Sequence, residues 1–208
     1  MRSVGINRAH GGQCHRAGGF CHYVLTKDGD PRKNNPIENI TVLVLDIGGK
    51  TTDSVAVDAG GNIDISSMTS ESTGIIKVMG NFENALRANN AAFFKQTDKI
   101  DQRRLNKAFI EGKYIGGGQV IPCDKEAEES ANLLMNDIEN ILARAGGLAS
   151  YDGVLLTGGG AVLMSSRLQA QYAPIPFYLA ENDMDMAHFA NVRGGVKLFK
   201  MLKRLGVL

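Results

Sequence analysis

Residues Leu43–Val57 read LVLDIGGKTTDSVAV. At the centre stands Gly49-Lys50-Thr51, the closing triplet of a nucleotide-binding P-loop. That motif also needs a glycine five positions before the one preceding the lysine. The position is 44, and it holds Val44. A P-loop must further run into a helix whose N-terminus meets the phosphates. Here the turn runs into Asp53-Ser54-Val55-Ala56-Val57-Asp58, whose period of two predicts a strand. The turn therefore joins strand to strand as a hairpin. The question becomes what a hairpin carrying Asp-x-Gly-x-x-Thr does.

Working outward, Thr41–Asp46 is a continuous, β-branched apolar run, as expected of a buried strand. The second strand covers about 52–58, and Ile63–Met68 alternates as a third. Ile75, Ile76, Met79, Phe82 and Leu86 recur at helical spacing and predict a helix over 73–89. A charged helix follows over 97–112, then a loop at Gly116-Gly117-Gly118 and a short strand at Val120-Ile121. The next helix, 124–145, has its apolar face on Ala131, Leu134, Ile138, Ile141 and Leu142 and stops at Gly146-Gly147. A strand at 153–157, a triple-glycine turn, a helix at 161–171, a strand at 175–180 and a final helix at 186–205 complete the pattern.

Residues 1–40 read as a leader and connection, glycine-, arginine- and histidine-rich at first and then polar with two prolines. Residues 41–208 read as one domain with a helical insertion at about 90–122. Hairpin-linked strands followed by alternating helix and strand imply an α/β fold, a mixed sheet covered by helices on both faces. That order matches the ribonuclease H-like core, the repeated unit of the actin, Hsp70 and sugar-kinase superfamily.

Composition narrows the function. The 208 residues are 43% hydrophobic and 22% charged, which is ordinary for a soluble globular protein. A net charge of +1 gives no global field toward nucleic acid or a membrane. No apolar run approaches the roughly 20 residues of a membrane span, and residues 1–22 lack the apolar core of a secretory signal. Three cysteines give no disulfide framework, so a reducing cytoplasm is expected.

Two stretches carry chemistry. Asp46 ends a buried strand, so its carboxylate emerges at the strand's C-terminal edge. Gly48 and Gly49 expose backbone amides that can cradle phosphate oxygens, and Thr51 and Thr52 add hydroxyls. A carboxylate beside phosphates is repulsive unless a cation sits between them. Magnesium, held by one or two carboxylates plus water and phosphate, is the usual answer. Asp46 would then hold a magnesium-bound water or position the attacking one. In Gly153–Ala161, the turn Gly158-Gly159-Gly160 opens a helix at the sheet edge, where ligands of open α/β sheets sit. Its glycines let a flat base or ribose lie on the backbone. Either turn alone is also an ordinary tight turn, but finding both in one strand order is much harder to explain that way.

Other signals are weaker. His10, Cys14, His15, Cys21 and His22 are metal-competent types at a spacing that matches no common structural site. Cys123 reads as a partly buried thiol, His188 as a surface or capping residue, and Arg103-Arg104-Lys107 as a solvated helix face.

On these motifs the sequence resembles actin-like ATPases. VLVLDIGGKTTD is similar to their second phosphate-binding hairpin, GVLLTGGGA to their adenosine-binding turn, and HFANVRGGVKLF (188–199) to the last helix of bacterial and plasmid members. The resemblance is to ParM-type plasmid-segregation and phage proteins and covers about 40–208. It implies ATP with magnesium between two related domains, slow hydrolysis and nucleotide-controlled filaments. It places Asp46 near magnesium, Gly48, Gly49, Lys50 and Thr51 around the β- and γ-phosphates, and Gly158, Gly159 and Gly160 under the adenosine. Arg104, Lys107 and Glu111 become candidates for the ribose. Many relatives carry a third glycine where this chain has Lys50, and Lys50 reads as pointing to solvent.

The resemblance also implies a first domain with its own Asp-x-Gly hairpin. One such hairpin occurs here, so the chain reads as the second domain alone. Any link to DNA would run through an adaptor protein, since no basic DNA-binding patch is visible. Two alternatives remain open: a non-catalytic interaction or capping module, and a small-molecule kinase or reactivating ATPase of the same superfamily.

Overall fold

The computed structural model describes residues 13–95 and 99–208. A five-stranded sheet holds β1 (Val42–Ile47), β2 (Thr52–Val57), β3 (Ile63–Glu71), β6 (Gly153–Thr157) and β7 (Phe177–Leu179) in the order β3-β2-β1-β6-β7. The first three strands are antiparallel hairpin neighbours, whereas β6 pairs parallel with both β1 and β7. This is the mixed sheet expected.

Both faces of β1 are covered, which is why its apolar run is unbroken. Leu43, Leu45 and Ile47 enter one core, with α2 (Ile75–Asn89), α3 (Gln102–Glu111), α4 (Asp124–Arg144) and α5 (Ala161–Gln171). Val42 and Val44 enter a second core under α1 (Gln13–Val24), with Phe20, Tyr23 and Val24. Phe82 of α2 and Phe109 of α3, both fully buried, meet edge to face at 5.3 Å. Truncating such a ring typically costs about 3–5 kcal/mol.

Four local features differ from expectation. The segment read as an aperiodic leader forms α1, because its glycines allow a close crossing rather than an apolar stripe. A β-carbon on Gly194 of α7 (Ala190–Arg204) would stand 1.5 Å from the Gly18 carbonyl oxygen, and one on Gly18 2.4 Å from that of Asn191. The second difference is a hairpin of β4 (Lys113–Gly116) and β5 (Gln119–Pro122), of which only the second strand was legible. Gly117 and Gly118 turn it at φ 52° and 75°, and Tyr114 anchors it against Phe94 at 5.1 Å. Third, the expected helix over 97–112 begins at Gln102, where Asp101 accepts from the Arg104 amide at 3.0 Å. The expected start at 97 lies outside the described residues.

The fourth difference is at the C-terminal end. The single helix expected over 186–205 is broken into α6 (Met184–Ala187) and α7. The Phe189 amide bonds the Met186 carbonyl, one residue short of helical spacing, and the chain is re-aimed there. The buried Lys197 of α7 then closes α1, its Nζ donating to the carbonyls of His22 and Leu25 at 2.7 and 2.9 Å. Burial lowers the pKa of this lysine.

Gly194→Ala should therefore cost about 2–3 kcal/mol through overpacking. Gly195→Ala, whose β-carbon meets nothing within 4 Å, should gain about 0.5–1 kcal/mol from helix propensity. Urea unfolding of the two variants checks the contrast. His22 is buried, and burial outweighs its 3.0 Å contact with Glu181 to lower its pKa. The unfolded chain thus takes up this proton more readily, so stability is complete above the ordinary imidazole value of about 6.5 and falls as pH drops below it. The decrease in urea midpoint from pH 7.5 to 5.5 should be smaller in His22→Gln than in the wild type.

Candidate functional site

The hairpin turn and the start of α2 form one hydrogen-bonded unit. The Gly48 amide donates to the Thr51 carbonyl at 2.9 Å and closes the turn. The Ile75 and Ile76 amides donate to the carbonyls of Gly48 and Gly49, each at 3.0 Å. Two of the helix's otherwise unpaired N-terminal amides are thereby satisfied. Such close approach needs Gly74, where a β-carbon would lie 2.5 Å from the Gly49 carbonyl. The buried Thr52 hydroxyl donates to the Thr73 carbonyl at 2.8 Å and locks the unit from below.

The second glycine turn is tied to the same strand end. The Gly160 amide donates to the Ile47 carbonyl at 2.8 Å. Gly158 adopts φ 86°, and a β-carbon there would stand 2.3 Å from Asp46 Oδ1. Only glycine fits both the left-handed backbone and the contact. Asp46 lies opposite Thr157 in the parallel register, and its Oδ2 accepts from Asn191 Nδ2 at 2.6 Å.

Between the turns opens a cleft of about 680 Å³. This lies within the range of small-molecule sites, about 300–1,000 Å³. Asp46, Gly48, Gly49, Gly158 and Gly159 line it together. Ile75, Met79 and Leu105 give it an apolar wall, and Glu83, Gln102 and Asn106 a polar edge. No lysine or arginine lines it among the described residues. At the floor stand one carboxylate and the backbone of the two glycine turns, although the Gly48 amide expected to meet a phosphate is already spent on the Thr51 carbonyl, as the Gly160 amide is on that of Ile47. The carboxylate and the remaining amides suit a phosphate group with a water-rich magnesium ion.

Not every expected residue joins the cleft. Lys50 and Thr51 are exposed on the turn and outside the lining, and the Thr51 hydroxyl donates to Asp53 at 3.1 Å. Thr52 is committed to Thr73, and Gly160 is buried behind the turn against Ile47. Arg104, Lys107 and Glu111 face a separate pocket of about 420 Å³ beside the β4–β5 hairpin. Gln102, Leu105 and Asn106, on another face of α3, reach the cleft instead. Among the lining residues that carried no site role in the sequence are His188, which packs against Gly159, and Asn191. Their signal was the stretch HFANVRGG itself, in which both stand just outside or inside the first turn of α7.

In the N-terminal cluster, His10 and the side chains of Cys14 and His15 lie outside the described residues. Among the described residues no three of His, Cys, Asp or Glu are placed to hold a metal. Cys123 is fully buried, and burial pushes its thiol up to about 11.

The family model "Archaeal actin homologue MreB-like, C-terminal" matches residues 44–170. Solved structures of similar fold include the archaeal actin homologue Ta0583, at 15% identity and TM-score 0.64, covering 90% of this chain and 54% of that one. The same protein in complex with ADP matches at 17% identity and TM-score 0.58, over 88% of this chain and 55% of that one. A 15-stranded ParM filament from Clostridium botulinum matches at 20% identity and TM-score 0.56, over 88% of this chain and 51% of that one. The chain thus spans about half the length of these structures. No curated protein matches it.

Thr52→Val removes the buried donor to Thr73 and should cost about 1–2 kcal/mol. Thr51→Val, at an exposed position, should stay within about 0.5 kcal/mol of the wild type. Thermal denaturation of the two variants distinguishes a hydroxyl that holds the turn from one that does not.

Proposed function

Since the chain belongs to the family of archaeal actin homologues, MreB-like, C-terminal, we propose that it is the ATP-binding half of an actin-like, filament-forming ATPase. The observation that carries this is the convergence of Asp46, Gly48 and Gly49 with Gly158 and Gly159 on one cleft. Phosphates would lie at the first turn, and the base and ribose over the second turn and the apolar wall of α2 and α3. Asp46 would be the residue that holds magnesium. When bound, magnesium neutralises phosphate charge and polarises the scissile phosphoryl group.

The chain's own residues bind, orient and exclude water. The glycines admit close approach, and Ile75, Met79 and Leu105 dry one side of the base. ADP in the Ta0583 structure supports a nucleotide in this fold. The filament structures of ParM and Alp12 support self-association, with the role in plasmid or phage DNA segregation reached through an adaptor protein. Among the described residues no helix is long and apolar enough to cross a membrane, and we place this function in the cytoplasm.

Two observations favour a second reading. Among the described residues no lysine or arginine lines the cleft to balance a triphosphate, and Phe189, just before α7, is exposed together with Val192, Val196 and Phe199 of α7. A chain that meets partners through those side chains without turning over nucleotide fits these features.

Calorimetric titration of magnesium-ATP tests the first reading. Wild type should bind, and Asp46→Ala should bind at least about tenfold more weakly, as expected for loss of a charged interaction. Chelating magnesium should weaken the wild type toward the variant. A folded wild type that binds no nucleotide would leave the interaction module as the surviving account.

A further inference from the structure

Asn191 stands in the first turn of α7, and its Nδ2 donates to Asp46 Oδ2 at 2.6 Å. An amide oxygen facing a carboxylate at that distance would be repelled, so the nitrogen is the atom that faces Asp46. The other carboxylate oxygen, Oδ1, lies over Gly158 in the second turn. The amide thus fixes the rotation of the carboxylate about its bond and leaves Oδ1 toward the glycine turns.

Asn191 is itself held from behind. Its carbonyl oxygen and Cα would lie 2.4 and 2.8 Å from a β-carbon on Gly18, and Gly194, one turn on, is pressed against Gly18 in the same way. Its own Oδ1 is buried and finds no hydrogen-bond partner among the described residues. Burying an amide with half its capacity unused is costly. A different requirement selects the residue here, a neutral donor opposite Asp46. Leucine or alanine would pack without the orphan oxygen, and aspartate would place two acidic groups together.

We propose that Asn191 is a positioning residue that sets the orientation of the Asp46 carboxylate for the magnesium-nucleotide. This rests on the nucleotide reading of the cleft. It predicts that Asn191 acts on the ligand only through Asp46.

The test is a double-mutant cycle in magnesium-ADP affinity with Asp46→Ala, Asn191→Ala and the double variant, each checked for folding by thermal denaturation. Asn191→Ala should weaken binding about tenfold in the wild-type background, the range for a hydrogen bond to a charged group. It should change binding less than twofold in the Asp46→Ala background. An equal loss in both backgrounds would show a general structural role and overturn the proposal, as would wild-type affinity in Asn191→Ala.

A ligand-free readout separates this proposal from the functional reading. The carboxyl carbon of Asp46, followed by NMR at fixed neutral pH without ligand, should change its chemical shift in Asn191→Ala, because the carboxylate has lost that donor. An unmoved signal would overturn the positioning role even where nucleotide binds. A moved signal with no nucleotide binding would remove the functional reading and leave the Asn191–Asp46 coupling standing.

Discussion

The parallel pairing of β1 with β6 is the constraint on which the site depends. It sets Asp46 opposite Thr157, so the two strands end side by side and each runs straight into a glycine turn. The Gly160 amide then bonds the Ile47 carbonyl and stitches the second turn to the first strand. Without that register the two turns would be unrelated loops. With it they become two walls of one cleft, held by a buried strand pair that has apolar layers on both faces. The rigidity of the site is inherited from the centre of the sheet rather than from the loops themselves.

The turns are fixed in a way that also limits what they offer. Helix α2 begins against the hairpin, and its first amides go to the carbonyls of Gly48 and Gly49. The helix N-terminus therefore serves the hairpin and not a ligand. Any phosphate must be met by the remaining amides of the turns and by a cation at Asp46. This explains how a cleft with an acidic floor and no basic lining among the described residues can still suit a nucleotide.

The central elements were legible because their signals are local and strong. Val42–Ile47 is continuously apolar, the glycines at 48–49 and 158–160 punctuate it and its partner, and the helices at 75–89 and 124–144 keep a clean period. The unread parts depend on contacts between distant residues. Helix α1 is specified by Gly18 meeting Gly194 and by Lys197 closing its end, neither of which is an amphipathic pattern. The break between α6 and α7 falls at His188-Phe189, where the sequence holds no glycine or proline to mark it. In the site, motif position identified Asp46, Gly48, Gly49, Gly158 and Gly159 as neighbours. It could not show that the Thr52 hydroxyl turns inward to Thr73, or which face of α3 meets the cleft. Side-chain direction at a turn is set by the helix packed beneath it, and that helix is remote from the motif.

The proposed function stands or falls with a nucleotide in the space between the two glycine turns. Amide chemical-shift mapping of the 22.3 kDa chain with magnesium-ADP tests it most directly, since glycine amides occupy their own region of the spectrum. The Gly48, Gly49, Gly158 and Gly159 signals should shift together and saturate at a single affinity, with Ile75 and Leu105 following. Shifts confined to the β4–β5 hairpin and the outer face of α3, with these four glycines unmoved, would contradict it.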